Sequence, residues 1–234
     1  MPNQSEIIEF LKTYKAPIII ILAGFFLTGM SFYLFIEIAE EVLEKEEFYI
    51  DSTVQNLIEP IRSTLTDNIF GYITEGGSVW FLSVASIVLL VYLFLNSKYS
   101  NWFLIYFTIN MIGIAGLTKG LKLLFERERP EVLEQYDGSG FSFPSGHSTG
   151  AIAFYGFVIY LIVISHLDKK WKWLINIVLG IFALLVATSR VFINVHYVTD
   201  VVAGISLGLT FLFVCIFALE VTLWQNRRKK KRVG

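Results

Sequence analysis

Cysteine is nearly absent: Cys215 is the one example in 234 residues, and it lies inside an apolar run. No intramolecular disulfide can therefore staple the fold, and the thiol reads as a small side chain facing lipid or a neighbouring helix. Charge is scarce as well. Asp, Glu, Lys and Arg make up 17% of the chain against 55% hydrophobic residues, and they come in blocks between long apolar runs. That pattern excludes an ordinary soluble domain and fits a chain that crosses a membrane several times. A basic face is missing too, because the single basic cluster, Arg227 to Arg232, is a terminal tail. This argues against nucleic acid as a partner. Internal repeats, linkers and low-complexity stretches are lacking, so residues 1–234 read as one membrane-embedded domain.

What is present is apolar sequence in six runs. The first, Ala16 to Ile36, is about 21 residues, enough to span. No small-x-small cleavage site follows it, so a retained helix is expected and not a signal peptide. The others are Val79 to Leu95, Trp102 to Phe125, Ser148 to Ser165, Trp171 to Phe192 and Val198 to Leu223. Trp80, Trp102, Trp171, Trp173 and Trp224 stand near run ends, where an amphipathic ring favours the headgroup layer. The expected fold is an all-α integral membrane protein, a six-transmembrane-helix bundle with both termini on one side.

Charge assigns that side. Twelve of the 19 Lys and Arg residues are Lys12, Lys15, Lys98, Lys169, Lys170, Lys172 and the six of the tail. Loops rich in Lys and Arg stay in the cytoplasm. Both termini are thus expected to be cytoplasmic, with 224–234 a basic anchor near anionic lipid. Residues 37–78 are then extracytoplasmic. This segment is acidic, with ten Asp or Glu against Lys45 and Arg62. Val54, Leu57, Ile58, Ile61, Leu65, Ile69 and Phe70 keep near-helical spacing within it. It either lies flat at the outer interface or packs over the bundle.

Three polar clusters interrupt the apolar sequence, each at a span end. The first is Lys122 to Pro130, the second Pro144-Ser145-Gly146-His147, and the third Ser189-Arg190 with His196 and Asp200. In a serpentine bundle these ends share one face, and the charge rule makes it the outer one. Lys122 and Arg129 are seven apart, two helical turns, so both are expected along one side of a span end that Pro130 stops or redirects. Arg127 between them reads as a cation snorkelling to the interface. Ser145 is a natural N-cap, Gly146 allows close backbone approach, and amides at a helix start bind anions. His196 and Asp200 are four apart, so the carboxylate can hold the imidazole and fix its tautomer. Arg190 adds a planar fork suited to phosphate oxygens. Cations gathered at membrane depth call for an anion, and phosphate fits. Taken singly, each cluster is also compatible with a plain helix start, a snorkelling cation or a structural His–Asp pair.

The pattern K-x6-R-P, then P-S-G-H, then S-R-x5-H-x3-D, complete between residues 122 and 200, resembles the signature of the type 2 phosphatidic acid phosphatase (lipid phosphate phosphatase) superfamily. That superfamily shares its site with vanadium-dependent haloperoxidases. The resemblance implies that His196 attacks phosphorus and forms a phosphohistidine, with Asp200 orienting it and His147 protonating the leaving oxygen. It also implies that Lys122, Arg129, Arg190, Ser145 and the Gly146 amide hold the phosphoryl oxygens. Neither metal nor other cofactor is expected: these cations and amides supply the charge stabilisation that phosphoryl transfer needs. The acidic loop 126–143, with Glu126, Glu128, Glu131, Glu134 and Asp137, reads as a solvated hairpin limiting access and not as a metal site.

The expected activity is hydrolysis of a terminal phosphate from a membrane lipid in a multi-pass protein of the cell membrane, bacterial plasma membrane being the setting favoured. Candidate substrates by resemblance are undecaprenyl diphosphate, phosphatidylglycerol phosphate and phosphatidic acid, with the lipid tail left in the bilayer between helices. Rival readings are a lipid phosphotransferase using the same intermediate, a non-catalytic lipid-phosphate binding or transport protein, and a haloperoxidase. Gly116-x-x-x-Gly120 and Gly204-x-x-x-Gly208 flank the clusters, and close helix packing is expected at both.

Overall fold

The computed structural model describes residues 4–96, 98–131 and 139–233, with side chains described from residue 24 to 229 outside those gaps. Every regular element among the described residues is helical. In chain order they are α1 (Gln4–Leu43), α2 (Tyr49–Ile58), a single 3-10 turn (Glu59–Ile61), α3 (Thr64–Glu75), α4 (Val79–Leu95), α5 (Asn101–Phe125), α6 (Gly146–Ile164), α7 (Lys169–Phe192) and α8 (Val198–Val233). Five stretches of the described residues are long and apolar enough to cross a membrane: Thr64–Leu95, Asn101–Phe125, Gly146–Ile164, Lys169–Phe192 and Val198–Lys229. The first expected span falls within α1, but the side chains of Lys12, Lys15 and its first half are not among those described. Glu134 and Asp137 of the acidic loop lie outside the described residues.

The helices begin where short polar side chains can take their free amides. Ser63 and Thr66 form a reciprocal capping box at α3, Ser78 caps Phe81 N at α4, and Ser145 caps α6. α8 is a long rod. Its 36 residues span ~54 Å, well beyond a hydrocarbon core of about 30 Å. Asp200 thus stands at one end and the basic run 227–229 at the other, where Arg228 covers the Trp224 ring at 4.5 Å.

α6 is the central helix, packed on α5, α7, α8 and α4. α1 lies along α8, with Phe25 edge-on to Phe217. Large apolar residues such as Phe26, Trp80, Phe94, Ile112 and Ile177 face outward. Lipid-facing helices show this, since tails solvate them as well as a core would. Gly204 and Gly208 behave as expected. A Cβ on Gly204 would sit 2.8 Å from Ser145 O, and one on Gly208 3.1 Å from Thr149 O, so only glycine lets α8 approach α6 this closely. Gly116 and Gly120 do not: a Cβ at either would meet nothing within 4 Å, and Gly116 borders a cavity instead of a helix.

Candidate active site

Buried polar side chains collect at one end of the bundle: Ser142, Ser145, His147, Ser148, Arg190, His196, Thr199 and Asp200 are all buried there, with Asp51 and Thr74 from the 37–78 segment. The three sequence clusters meet in this group. Ser145 N–H donates to Asp200 O at 3.1 Å, which ties the start of α6 to the first turn of α8. After α7 the chain folds back through Asn194, in the left-handed region at φ 59°, so that Val195 N and His196 N both donate to Arg190 O. That turn carries His196 back beside Arg190.

The imidazole of His196 is held at both nitrogens. Nδ1 lies 3.1 Å from Asp200 Oδ2, and Nε2 lies 2.9 Å from Arg129 Nη1. Guanidinium nitrogens only donate. Nε2 must therefore accept, and Nδ1 carries the proton toward the carboxylate. Burial, reinforced by the guanidiniums of Arg129 and Arg190, then Lys122 and Arg127, holds His196 well below the usual imidazole range. A neutral ring with its lone pair on Nε2 is the result. Asp200 Oδ2 also accepts Tyr197 N–H at 3.1 Å.

Arg129 and Lys122 converge differently from expectation. α5 ends at Phe125 because Glu126 turns left-handed at φ 47°, four residues before Pro130. Arg129 thus reaches back from a loop, not from the helix face that a seven-residue spacing suggested. Its Nε donates to Gly140 O, its Nη2 to Ser139 O and Phe141 O, and its Nη1 to Val195 O. Lys122 Nζ donates to Phe141 O and Ser142 O. Both cations gather the carbonyls of 139–142, while Phe143 anchors that segment between Phe35 and Phe125.

A cavity of ≈ 690 Å³ joins the cluster to the lipid side of the bundle. Lys122, Arg129, Gly146, His147 and His196 line its polar end, and Leu82, Met111, Ile112 and Gly116 of α4 and α5 its apolar end. Ser145, Arg190 and Asp200 stand behind this wall. Arg190 is fully buried, with Nη1 2.9 Å from Thr74 Oγ1 and 3.5 Å from His147 Nε2. Among the described residues, no group of three His, Cys, Asp or Glu is gathered so as to hold a metal ion; Glu131 is taken up by Arg62 at 3.1 Å.

Some contributors carry no signature. Thr74 and the Gly76-Gly77 turn come from the α3–α4 corner: Gly76 O accepts Tyr155 O–H, and a Cβ on Gly77 would strike Val186 at 2.5 Å and His147 at 3.1 Å. Arg127 is a correction. It does not snorkel but is mostly buried, bonded to Asp200 and Asp51, because carboxylates within reach hold a guanidinium more firmly than the interface can. The 37–78 segment packs over this end of the bundle through Asp51, Gln55 and Arg62.

Fold and site together define a multi-pass helical membrane protein with a cation-lined pocket at one end. A sequence model of the PAP2 superfamily matches residues 101–224, more than half of the chain, and the chain belongs to that superfamily. Phosphatidylglycerophosphatase B of Bacillus subtilis (strain 168) is 45% identical over 100 residues, 42% of this chain and 49% of that protein. The match thus spans about half of that relative's length. Undecaprenyl-diphosphatase BcrC of the same organism is 30% identical over 160 residues, 65% of this chain and 75% of that one. The crystal structure of a transmembrane PAP2-type phosphatidylglycerolphosphate phosphatase from Bacillus subtilis superposes with a TM-score of 0.72 at 30% identity, covering 82% of this chain and 96% of that one.

Proposed function

We propose that this chain hydrolyses the terminal phosphate of a membrane lipid through a phosphohistidine on His196. The observation that carries the reading is the way the ring is held: Asp200 accepts the Nδ1–H hydrogen bond, which leaves the lone pair on Nε2, at the polar end of the cavity beside Arg129. Nε2 attacks phosphorus, the bond from phosphorus to the lipid oxygen breaks, and His147 gives that oxygen its proton. Water then displaces the imidazole and phosphate leaves. Arg190 Nη1 and His147 Nε2, 3.5 Å apart, are close enough to share one phosphoryl oxygen. Three guanidiniums and Lys122 against two carboxylates give the pocket the excess of positive charge that a phosphate dianion needs.

The lipid tail lies in the apolar half of the cavity, between α4 and α5. The names of the relatives support phosphatidylglycerol phosphate and undecaprenyl diphosphate as substrates. The site faces the outer leaflet, with both termini and the basic end of α8 in the cytoplasm. Support comes from α8 itself, which puts Asp200 and the Lys/Arg run at opposite ends of one rod. The 37–78 segment covers the site from outside, with Tyr49, Leu57, Leu65 and Tyr72 exposed toward the interface.

The test is phosphate release by purified protein from undecaprenyl diphosphate, phosphatidylglycerol phosphate and phosphatidic acid, with His196→Ala alongside. Release from at least one lipid is expected, lost with all three in the variant and inhibited by vanadate. Full release by His196→Ala would sink the phosphohistidine. Activity abolished by a chelator and restored by magnesium would replace the guanidinium-based mechanism with a metal-based one.

A further inference from the structure

Arg127 is gripped on every side, and the chemistry proposed above uses only its charge. Its Nη1 donates to Asp200 Oδ1 at 2.6 Å and to Thr199 Oγ1 at 2.8 Å, and its Nη2 donates to Asp51 Oδ2 at 2.8 Å. The Tyr197 ring lies 4.4 Å and the Phe48 ring 5.2 Å from its guanidinium carbon. Asp51, itself buried, accepts Thr199 N–H at 3.0 Å and Thr199 Oγ1 at 2.6 Å. One carboxylate on α2 therefore caps the start of α8 and orients the guanidinium that takes the remaining oxygen of Asp200. Asp51 lies outside the region matched by the superfamily.

We infer that Asp51 and Arg127 are a positioning pair that holds Asp200, and through it the His196 ring, in the attacking orientation, making α2 a working part of the site. The inference rests on the phosphohistidine reading. Neither residue touches the phosphoryl group; both act through Asp200. The charged and titratable groups facing His196 are Asp200 from α8, Arg129 and Arg127 from the loop after α5, Lys122 from α5, His147 from α6 and Arg190 from α7, with Asp51 behind Arg127. Removing Arg127 takes a cation from this set and raises the proton affinity of His196. Removing Asp51 takes away an anion and works the other way. Both losses misplace Asp200, so the two variants agree in kcat and disagree in pH dependence. Simple structural support would not produce that split.

The experiment follows phosphate release from dioctanoyl phosphatidic acid and farnesyl diphosphate by the full chain in detergent, for wild type, Arg127→Gln, Arg127→Lys, Asp51→Asn, the Arg127→Gln/Asp51→Asn double variant and His196→Ala. Arg127→Gln and Asp51→Asn are each expected to lower kcat by about 10- to 100-fold with little change in KM. The acid limb of kcat/KM moves to higher pH in Arg127→Gln only, Arg127→Lys recovers part of kcat, and the double variant is no worse than Arg127→Gln by more than about twofold. Losses that multiply in the double variant, or wild-type kcat and acid limb in Arg127→Gln, overturn the inference. Should Arg127→Gln not fold, wild-type kcat in both Arg127→Lys and Asp51→Asn overturns it equally. Wild-type release by His196→Ala would instead overturn the phosphohistidine reading.

Discussion

α6 and α4 are both apolar enough to cross a bilayer, yet the most apolar window of α6 is 56% buried and that of the stretch containing α4 only 17%. Apolarity does not separate them, because in a membrane lipid tails serve an apolar side chain as well as a neighbouring helix does. Small residues at close contacts do. α6 meets α8 through Gly204, Gly208 and Gly156, where added atoms would collide with Ser145 O, Thr149 O and Leu212. α4, α5 and α6 leave a cavity beside Gly116. One side of the molecule is therefore a rigid spine that fixes Ser145, Asp200 and His196. The other is an open wall that can admit a tail.

Changes on the spine should remove chemistry. The largest effect is expected from Asp200→Asn. Asparagine has one acceptor where the carboxylate has two: with its oxygen kept for Arg127, which only donates, its NH2 faces Nδ1, and the ring then carries its proton on Nε2 and loses the lone pair there. A fall in kcat of about 10³- to 10⁴-fold, with the protein still folded, is the expected result in phosphate-release kinetics. Arg190→Gln comes next, at about 10²- to 10³-fold, because it removes one fixed donor for developing charge. A milder effect is expected from pH. Burial and four cations depress the His196 pKa, so the imidazole stays neutral through pH 7 and protonates only as pH falls below the ordinary imidazole range. The acid limb of kcat/KM should accordingly lie below about 6.5. A limb above that value would mean that His196 is not the group titrating.

The same substitution made on the two sides should have opposite signs. Gly204→Ala places a Cβ 2.8 Å from a backbone oxygen and 2.9 Å from Ser148 Cβ, and backbone cannot yield cheaply. A loss of about 1–3 kcal/mol is expected, read as a lower midpoint in thermal unfolding in detergent. Gly116→Ala meets nothing within 4 Å and gains helix propensity of up to about 1 kcal/mol. Equal destabilisation of both would dissolve the distinction between spine and wall.

This asymmetry shows what was readable in the chain. Lys122, Arg129, His147, Arg190, His196 and Asp200 stood out because charged and imidazole side chains are conspicuous at the ends of apolar runs. Helices were readable for the same reason. Arg127, Asp51 and Thr74 were not, since their partners lie 72 to 148 residues away in sequence and each looks alone like an ordinary loop or cap residue. The end of the apolar run at Phe125 was readable, but Arg129 was set along the helix side because Pro130 drew attention as the stop, whereas the helix stops at a left-handed Glu126 that no local preference announces. Nor could spacing tell a packing glycine from a cavity glycine: G-x-x-x-G reads identically on α5 and α8, and only the neighbour opposite decides.

The smallest effect is also the most selective. Gly116 lines the apolar half of the cavity, below Lys122, Arg129 and His196 at its polar end. Gly116→Leu should leave the phosphoryl pocket untouched and narrow the passage for a tail. A short substrate such as dioctanoyl phosphatidic acid bends past the new side chain, whereas a polyprenyl chain has to lie along it. The expected outcome is a rise in KM of a few-fold for the long substrate, roughly the 1 kcal/mol that crowding an apolar contact costs, with kcat for both lipids near wild type. An equal rise for both lipids would put the tail elsewhere. A loss of kcat for both would mean that the wall is as rigid as the spine, with the two sides working as one.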